Sequence, residues 1–244
     1  MFDEWILPDS RQVIAAAVAI ALHRRPGWRL HLVVIGILFA KGRKTITSWL
    51  RAAGIVRQYK AFYYFIGAMG GKTETIATVL FEIMIGRIFQ KQNRVLTAID
   101  DAAATRYGPK VQGAGIRRNP TVTPDGAKFI YGHVWVVLSA LVRHEHWGTI
   151  ALPLLAKMYI RAGDVSRQRM RFQTKLQQAA ELVKWASTCC RSLGKQLWVV
   201  TDGGYAKAGF LKPAIKAGAT VITRLRKDAA FCSPVIPVKK RKRG

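Results

Sequence analysis

Two short apolar runs, Val95-Leu96-Thr97-Ala98-Ile99 and Leu197-Trp198-Val199-Val200-Thr201, are each followed at once by an acid, Asp100 and Asp202. Runs of this length, rich in β-branched and aromatic residues, read as strands covered on both faces, as in a parallel sheet. If the two are parallel neighbours, their C-terminal ends lie about 5 Å apart and the two carboxylates share one crevice. Acids are scarce in this chain: 13 Asp plus Glu stand against 40 Lys plus Arg, a formal net charge of +27. Packed like charges need a cation. A carboxylate pair that holds a divalent metal, on a chain whose charge attracts polyanions, suits phosphodiester chemistry on nucleic acid.

The apolar content of 50% over 244 residues is enough for one large core or two modest ones. Of the polyanions, nucleic acid fits better than a membrane surface, because the basic residues are spread along the chain rather than gathered on one amphipathic helix. The most apolar stretches, 13–22 and 30–40, fall short of the roughly 18 to 20 residues that cross a bilayer, so no membrane span is expected. An acidic start, Met1-Phe2-Asp3-Glu4, argues against export. Cys189, Cys190 and Cys232 show no zinc-binding spacing and suit a reducing cytoplasm as small, unreactive residues.

Residues 1–94 read as a mainly helical N-terminal region. Thr45 is a natural N-cap for a short helix carrying Ile46, Trp49, Leu50 and Ala53, and Gly54 is its stop. The basic loop before it, Lys41-Gly42-Arg43-Lys44, makes Arg43 and Lys44 candidate DNA contacts in a helix-turn-helix. Pattern alone favours a small helical bundle with a solvated basic loop. From residue 95 to 244 the pattern alternates. Strands are expected at 95–99, 130–142 and 148–160 as an antiparallel meander, followed by a helix over 172–190 that leaves Lys175, Gln178 and Lys184 for solvent. A strand at 197–201, a helix near 210–217 and a strand at 220–225 complete the order. Strand-strand-strand-helix-strand-helix-strand is the order of the ribonuclease H-like fold, an α/β mixed sheet with flanking helices whose first and fourth strands are neighbours.

Several ordered blocks then agree with one family. They are Ala98-Ile99-Asp100-Asp101 with Arg106-Tyr107-Gly108-Pro109-Lys110, Tyr131-Gly132-His133-Val134-Trp135, Trp147-Gly148-Thr149-Ile150-Ala151-Leu152-Pro153-Leu154, Trp198 to Ala206, and Thr223 to Ala229. The chain resembles the DDE transposases of bacterial insertion sequences, in the branch called DDE superfamily endonucleases. The resemblance is dense from about 96 to 230 and looser around 42–54. It implies a catalytic core that cuts and joins double-stranded DNA at insertion-sequence ends with Mg²⁺ or Mn²⁺, in the bacterial cytoplasm on the nucleoid, with a homo-oligomer allowed for.

On that resemblance the first catalytic and metal-binding acid maps onto Asp100, in a block where Ala102 replaces the usual Thr. By strand alternation Asp100 and Asp101 face opposite ways, so one of the two meets the metal. The second acid maps onto Asp202, in an Asp-Gly-x-Tyr block; taken alone, an Asp before two glycines is equally a good turn. The family's third acid is a Glu on a later helix. No Glu follows Glu181, and Asp228 is the one acid beyond Asp202. The expectation is therefore of a C-terminally truncated copy, with a non-catalytic DNA-binding remnant as the alternative. Glu181 substitutes only if its helix faces the crevice, and a surface role suits it better.

Three other motifs carry less. Gly67 to Thr73 has three residues between its outer glycines where a phosphate loop has four, and no strand before it. His144-Glu145-His146 lacks a third ligand and reads as a surface turn. His133 reads as a core histidine with its hydrogen bond satisfied.

Overall fold

The computed structural model describes residues 27–225 apart from 43, 109, 120–125 and 169–170. Four helices come first: α1 (Trp28–Phe39), α2 (Ile46–Ala52), α3 (Tyr59–Gly70) and α4 (Thr73–Ile88). Strands β1 (Arg94–Thr105), β2 (Gly115–Arg118), β3 (Phe129–His144) and β4 (Gly148–Tyr159) follow. Then come α5 (Ala162–Gln168), α6 (Lys175–Ser192), β5 (Gln196–Thr201), α7 (Ala208–Lys216) and β6 (Thr220–Thr223).

The first three helices close on their own core of Leu30, Val33, Leu50, Phe62 and Phe65. Thr45 caps α2 through a capping box with Ser48, and Trp28 meets Phe62 edge to face at 5.9 Å. This is the small bundle that the pattern favours. Helices α1 and α2 touch backbone to backbone: a Cβ added at Gly36 would lie 2.1 Å from the Trp49 carbonyl oxygen. The Gly36→Ala variant is therefore expected to force the two helices apart at a cost of about 1–3 kcal/mol. Urea unfolding measures it, and an unchanged midpoint would show that the crossing tolerates a methyl group.

In the six-stranded sheet β1 is central and β3 lies beside it. One edge of β3 pairs with β1, antiparallel, while the other carries β2 and then β4 in tandem. On the far side of β1 lie β5 and β6, both parallel to it. The meander and the side-by-side first and fourth core strands are as expected, and the mixed α/β sheet is consistent with the ribonuclease H-like fold. Strand β2 and helix α5 were not anticipated. β1 itself needs correcting. It does not stop at Asp100 but runs to Thr105, because β3 supplies partners for it as far as the pair Thr105 with Gly132.

One face of the sheet is packed. Val95 and Ile99 of β1, Val136, Leu138 and Ala140 of β3, and Leu197 and Val199 of β5 lie buried against α6, whose small residues Ala179, Ala186 and Cys190 let it sit close. Phe81, Ile85 and Phe89, from α4 and the residue after it, enter the same core. The opposite face, with Leu96, Ala98, Trp135, Val137 and Val200, stays half-buried. Helix α6 starts at Lys175, later than expected, because Thr174 and Gln177 form a capping box there. Its Gln178 is buried and donates to the Met158 carbonyl at 2.9 Å, contrary to the expected exposure.

Candidate functional site

The site grows from a mismatch in strand length. The parallel pairing of β1 with β5 runs from Arg94 with Gln196 to Ile99 with Thr201 and stops. The next residue on each strand is an acid, Asp100 and Asp202. β5 turns away there while β1 continues, so a notch opens beside the overhanging end of β1. In open α/β sheets such a place, outside the carboxyl end of a strand, is where ligands sit.

Asp202 is exposed and its conformation is fixed by a turn. Its Oδ1 accepts from the Gly204 amide at 3.0 Å. Its carbonyl oxygen accepts from the Tyr205 amide at 3.2 Å and from Thr223 Oγ1 at 3.0 Å. Gly204 leaves room for the carboxylate, since a Cβ there would come within 3.2 Å of Oδ1. Asp100 is also exposed and accepts at 2.7 Å from the Asp101 amide.

Asp101 points to the α6 face, in line with Val95, Thr97 and Ile99, and its side chain is 17% exposed. Both its oxygens are taken by donors of the chain itself. Tyr205 Oη donates to Oδ1 at 2.6 Å and Lys175 Nζ to Oδ2 at 2.5 Å. Tyr205 is buried and packs edge to face on Phe210 at 5.7 Å. Burial pushes its phenol pKa up, and the hydrogen bond and charge of Asp101, with the charges of Asp100 and Asp202, push it further. The hydroxyl therefore stays protonated and keeps donating. Neither Tyr205 nor Lys175 stands out in the sequence as a site residue, and Lys175 was expected in solvent. The capping box at Thr174 was the available signal, because it places Lys175 in the first turn of α6.

The remaining candidates lie elsewhere. Glu181 is paired with Lys157 of β4 and accepts from Gln173 Nε2 at 2.5 Å. Partial burial raises its pKa, but the hydrogen bond and charge of Lys157, then Gln173 and Arg171, outweigh this and hold it below the usual carboxylate value. Lys44 is exposed just before the N-cap of α2, while Arg43 and Asp228 lie outside the described residues. His133 Nε2 bonds the Gln112 carbonyl oxygen at 2.8 Å, leaving Nδ1 buried without a partner. His144 Nδ1 accepts from the amides of His146 and Trp147 in the β3–β4 turn. Cys189 and Cys190 are buried thiols; burial pushes the Cys190 pKa up to about 12.

Among the described residues no group of three His, Cys, Asp or Glu is placed to hold a metal ion. The pair Asp100 and Asp202 nevertheless fits a magnesium-like ion: hard oxygen donors, exposed, on adjacent strands, and such ions are commonly held by one or two carboxylates plus substrate phosphates. No helix among the described residues is long and apolar enough to cross a membrane. The family model described as DDE superfamily endonuclease matches residues 18–244. No match is found among curated proteins.

Proposed function

The chain belongs to the DDE superfamily endonucleases, and from that premise we propose that it is a transposase-type polynucleotidyl transferase of a bacterial insertion sequence. Its substrate on this reading is the double-stranded DNA of the element's ends, and its place is the bacterial cytoplasm, on the nucleoid. Members of the family use divalent metal ions. Asp100 and Asp202 are the proposed ligands. The observation that supports them is the register, which ends the β1–β5 pairing one residue before both acids.

Bound there, Mg²⁺ or Mn²⁺ would activate the attacking hydroxyl and stabilise the leaving oxygen of an in-line displacement. The chain's own groups prepare the place. The Gly204 amide orients the Asp202 carboxylate, and the Asp101 amide does the same for Asp100. Tyr205 and Lys175 fix Asp101 on the other face and so tie β1 to the turn after β5 and to α6. A second reading, a DNA-binding protein without cleavage activity, is favoured by Glu181, whose carboxylate is engaged by Lys157 and Gln173 rather than by the notch.

Both readings require DNA binding driven by charge. Log affinity for duplex DNA is expected to fall linearly with log salt, with a slope near −0.9 per phosphate neutralised. Ala substitution of Arg43 and Lys44 is expected to weaken binding and flatten the slope. Titrating a labelled duplex at several salt concentrations measures both, and absent or salt-independent binding would overturn the proposal. Nicking of element-end DNA in the presence of Mn²⁺ separates the transferase from the binding protein.

A further inference from the structure

We propose that the exposed side of α3 lies in the major groove of duplex DNA, with Lys60 on a phosphate and Tyr64 against the wall of the groove. The proposal rests on the transferase reading and gives it an element that meets the duplex. α3 buries Phe62 and Phe65 in the bundle core and turns Lys60, Tyr63, Tyr64 and Gly67 to solvent. These stand at i, i+3, i+4 and i+7, so they form one continuous face.

Charge is the first argument. From Gly27 to Thr73 the chain carries eight Lys and Arg and no Asp or Glu. No ion pair among the described residues involves any of the eight. A bundle with cations and no counter-ions of its own attracts a polyanion from outside. Lys44 and Lys60 are both exposed. The hydrogen bond between Thr47 Oγ1 and Tyr63 Oη, 2.9 Å long, ties α2 to α3 on this side, so Lys44, three residues before Thr47, stands near the α3 face.

Shape is the second. A helix with its side chains is about 10–12 Å across, which suits a major groove about 12 Å wide. Tyr64 is 69% exposed, with the Lys60 ammonium 5.9 Å from its ring centre. Past them α3 loses bulk. Gly67, Ala68 and Gly70 are exposed, and a Cβ at either glycine would meet nothing within 4 Å. That half of the face leaves room for the wall of the groove.

Chemistry is the third. The exposed residues of α3 include no Leu, Ile, Val, Phe or Trp, the side chains that an interfacial membrane helix inserts. An ammonium and tyrosine hydroxyls are instead groups that bond phosphate oxygens and position a protein on a duplex.

Fluorescence anisotropy with a short labelled duplex of mixed sequence, and with the same duplex carrying glucosylated hydroxymethylcytosine, tests the assignment. The glucose fills the major groove and leaves the phosphates free. The parent is expected to lose at least about tenfold on the glucosylated duplex, the scale of one base-edge contact. On the plain duplex Lys60→Gln is expected to flatten the salt slope by about 0.9, one phosphate, and Tyr64→Ala to lose about fivefold, the net worth of one hydrogen bond. On the glucosylated duplex Tyr64→Ala and the parent should bind alike. Both side chains are exposed, so the fold is retained, and a melting curve checks it. Equal parental affinity for the two duplexes overturns the groove assignment, and so does parental behaviour of both variants. Either result leaves the transferase reading standing, which Mn²⁺ calorimetry on the same chains reads separately. Variants that lose binding to phosphatidylserine vesicles but not to DNA would overturn it in favour of a membrane. A parent chain that binds neither duplex overturns the transferase reading itself.

Discussion

The Asp202→Asn substitution is expected to weaken Mn²⁺ binding by at least about tenfold, since even residues that only orient a ligand are worth 10–100-fold in metal affinity. Asp100→Asn is expected to do nearly the same, because the two carboxylates stand at equivalent positions, each one residue past the last β1–β5 pair, beside one notch. Asp101→Asn is expected to behave differently. Its carboxylate already answers Tyr205 and Lys175, so that variant should lose thermal stability more than metal affinity. Calorimetric titration of Mn²⁺ into the parent and the three variants, with a melting curve for each, reads both effects. A larger affinity loss for Asp101→Asn than for Asp100→Asn would transfer the ligand role to Asp101 and move the site to the α6 face. Wherever nicking is measured, the variant that loses metal is expected to lose orders of magnitude in rate, because charge stabilisation of the transition state rests on the ion.

The largest expected loss of stability comes from Phe81→Ala, at about 3–5 kcal/mol, the range for deleting a buried aromatic side chain. Phe81 is fully buried on α4 and meets Trp185 of α6 edge to face at 5.5 Å. Trp185 in turn donates to Thr78 Oγ1, one helical turn before Phe81, at 3.0 Å. Removing the ring leaves a cavity between two helices that are also held by a hydrogen bond, so they cannot simply collapse together. A folded domain is stable by about 5–15 kcal/mol in all, and the variant should show a large drop in urea midpoint with loss of near-ultraviolet tryptophan signal. A shift of under about 1 kcal/mol would mean that α4 is not part of the sheet's cooperative unit.

Much of this architecture is legible in the sequence because unbroken apolar runs mark interior strands, although the structure packs one of their faces and leaves the other half-buried. The runs at 95–99 and 197–201 had to be interior strands, and their parallel pairing with an acid beyond each follows from placing them side by side. What the sequence hid is set by partners far away along the chain. The extension of β1 to Thr105 depends on β3, which the alanines at 102–104 do not announce. The strand at 115–118 is too short to show a period. Lys175 looked like a solvent residue because helical periodicity says which face a residue takes, not which acid from another element waits there. Tyr205 was noted as part of a block, but its role depends on the Asp101 carboxylate, 104 positions away along the chain.

The pairing of β1 with β5 also sets when the site can exist. The bond from Thr97 Oγ1 to the Trp198 carbonyl spans 101 positions, whereas β3 and β4 meet across a tight turn. Closing a long loop must be compensated by contacts that form only afterwards, so local hairpins gain their structure sooner than distant parallel strands. On that order the two acids are expected to meet late, after the local hairpin has formed. An ion that requires both therefore has nothing to bind until then. Such an ion would stabilise the finished protein by mass action and slow unfolding, without guiding the chain there.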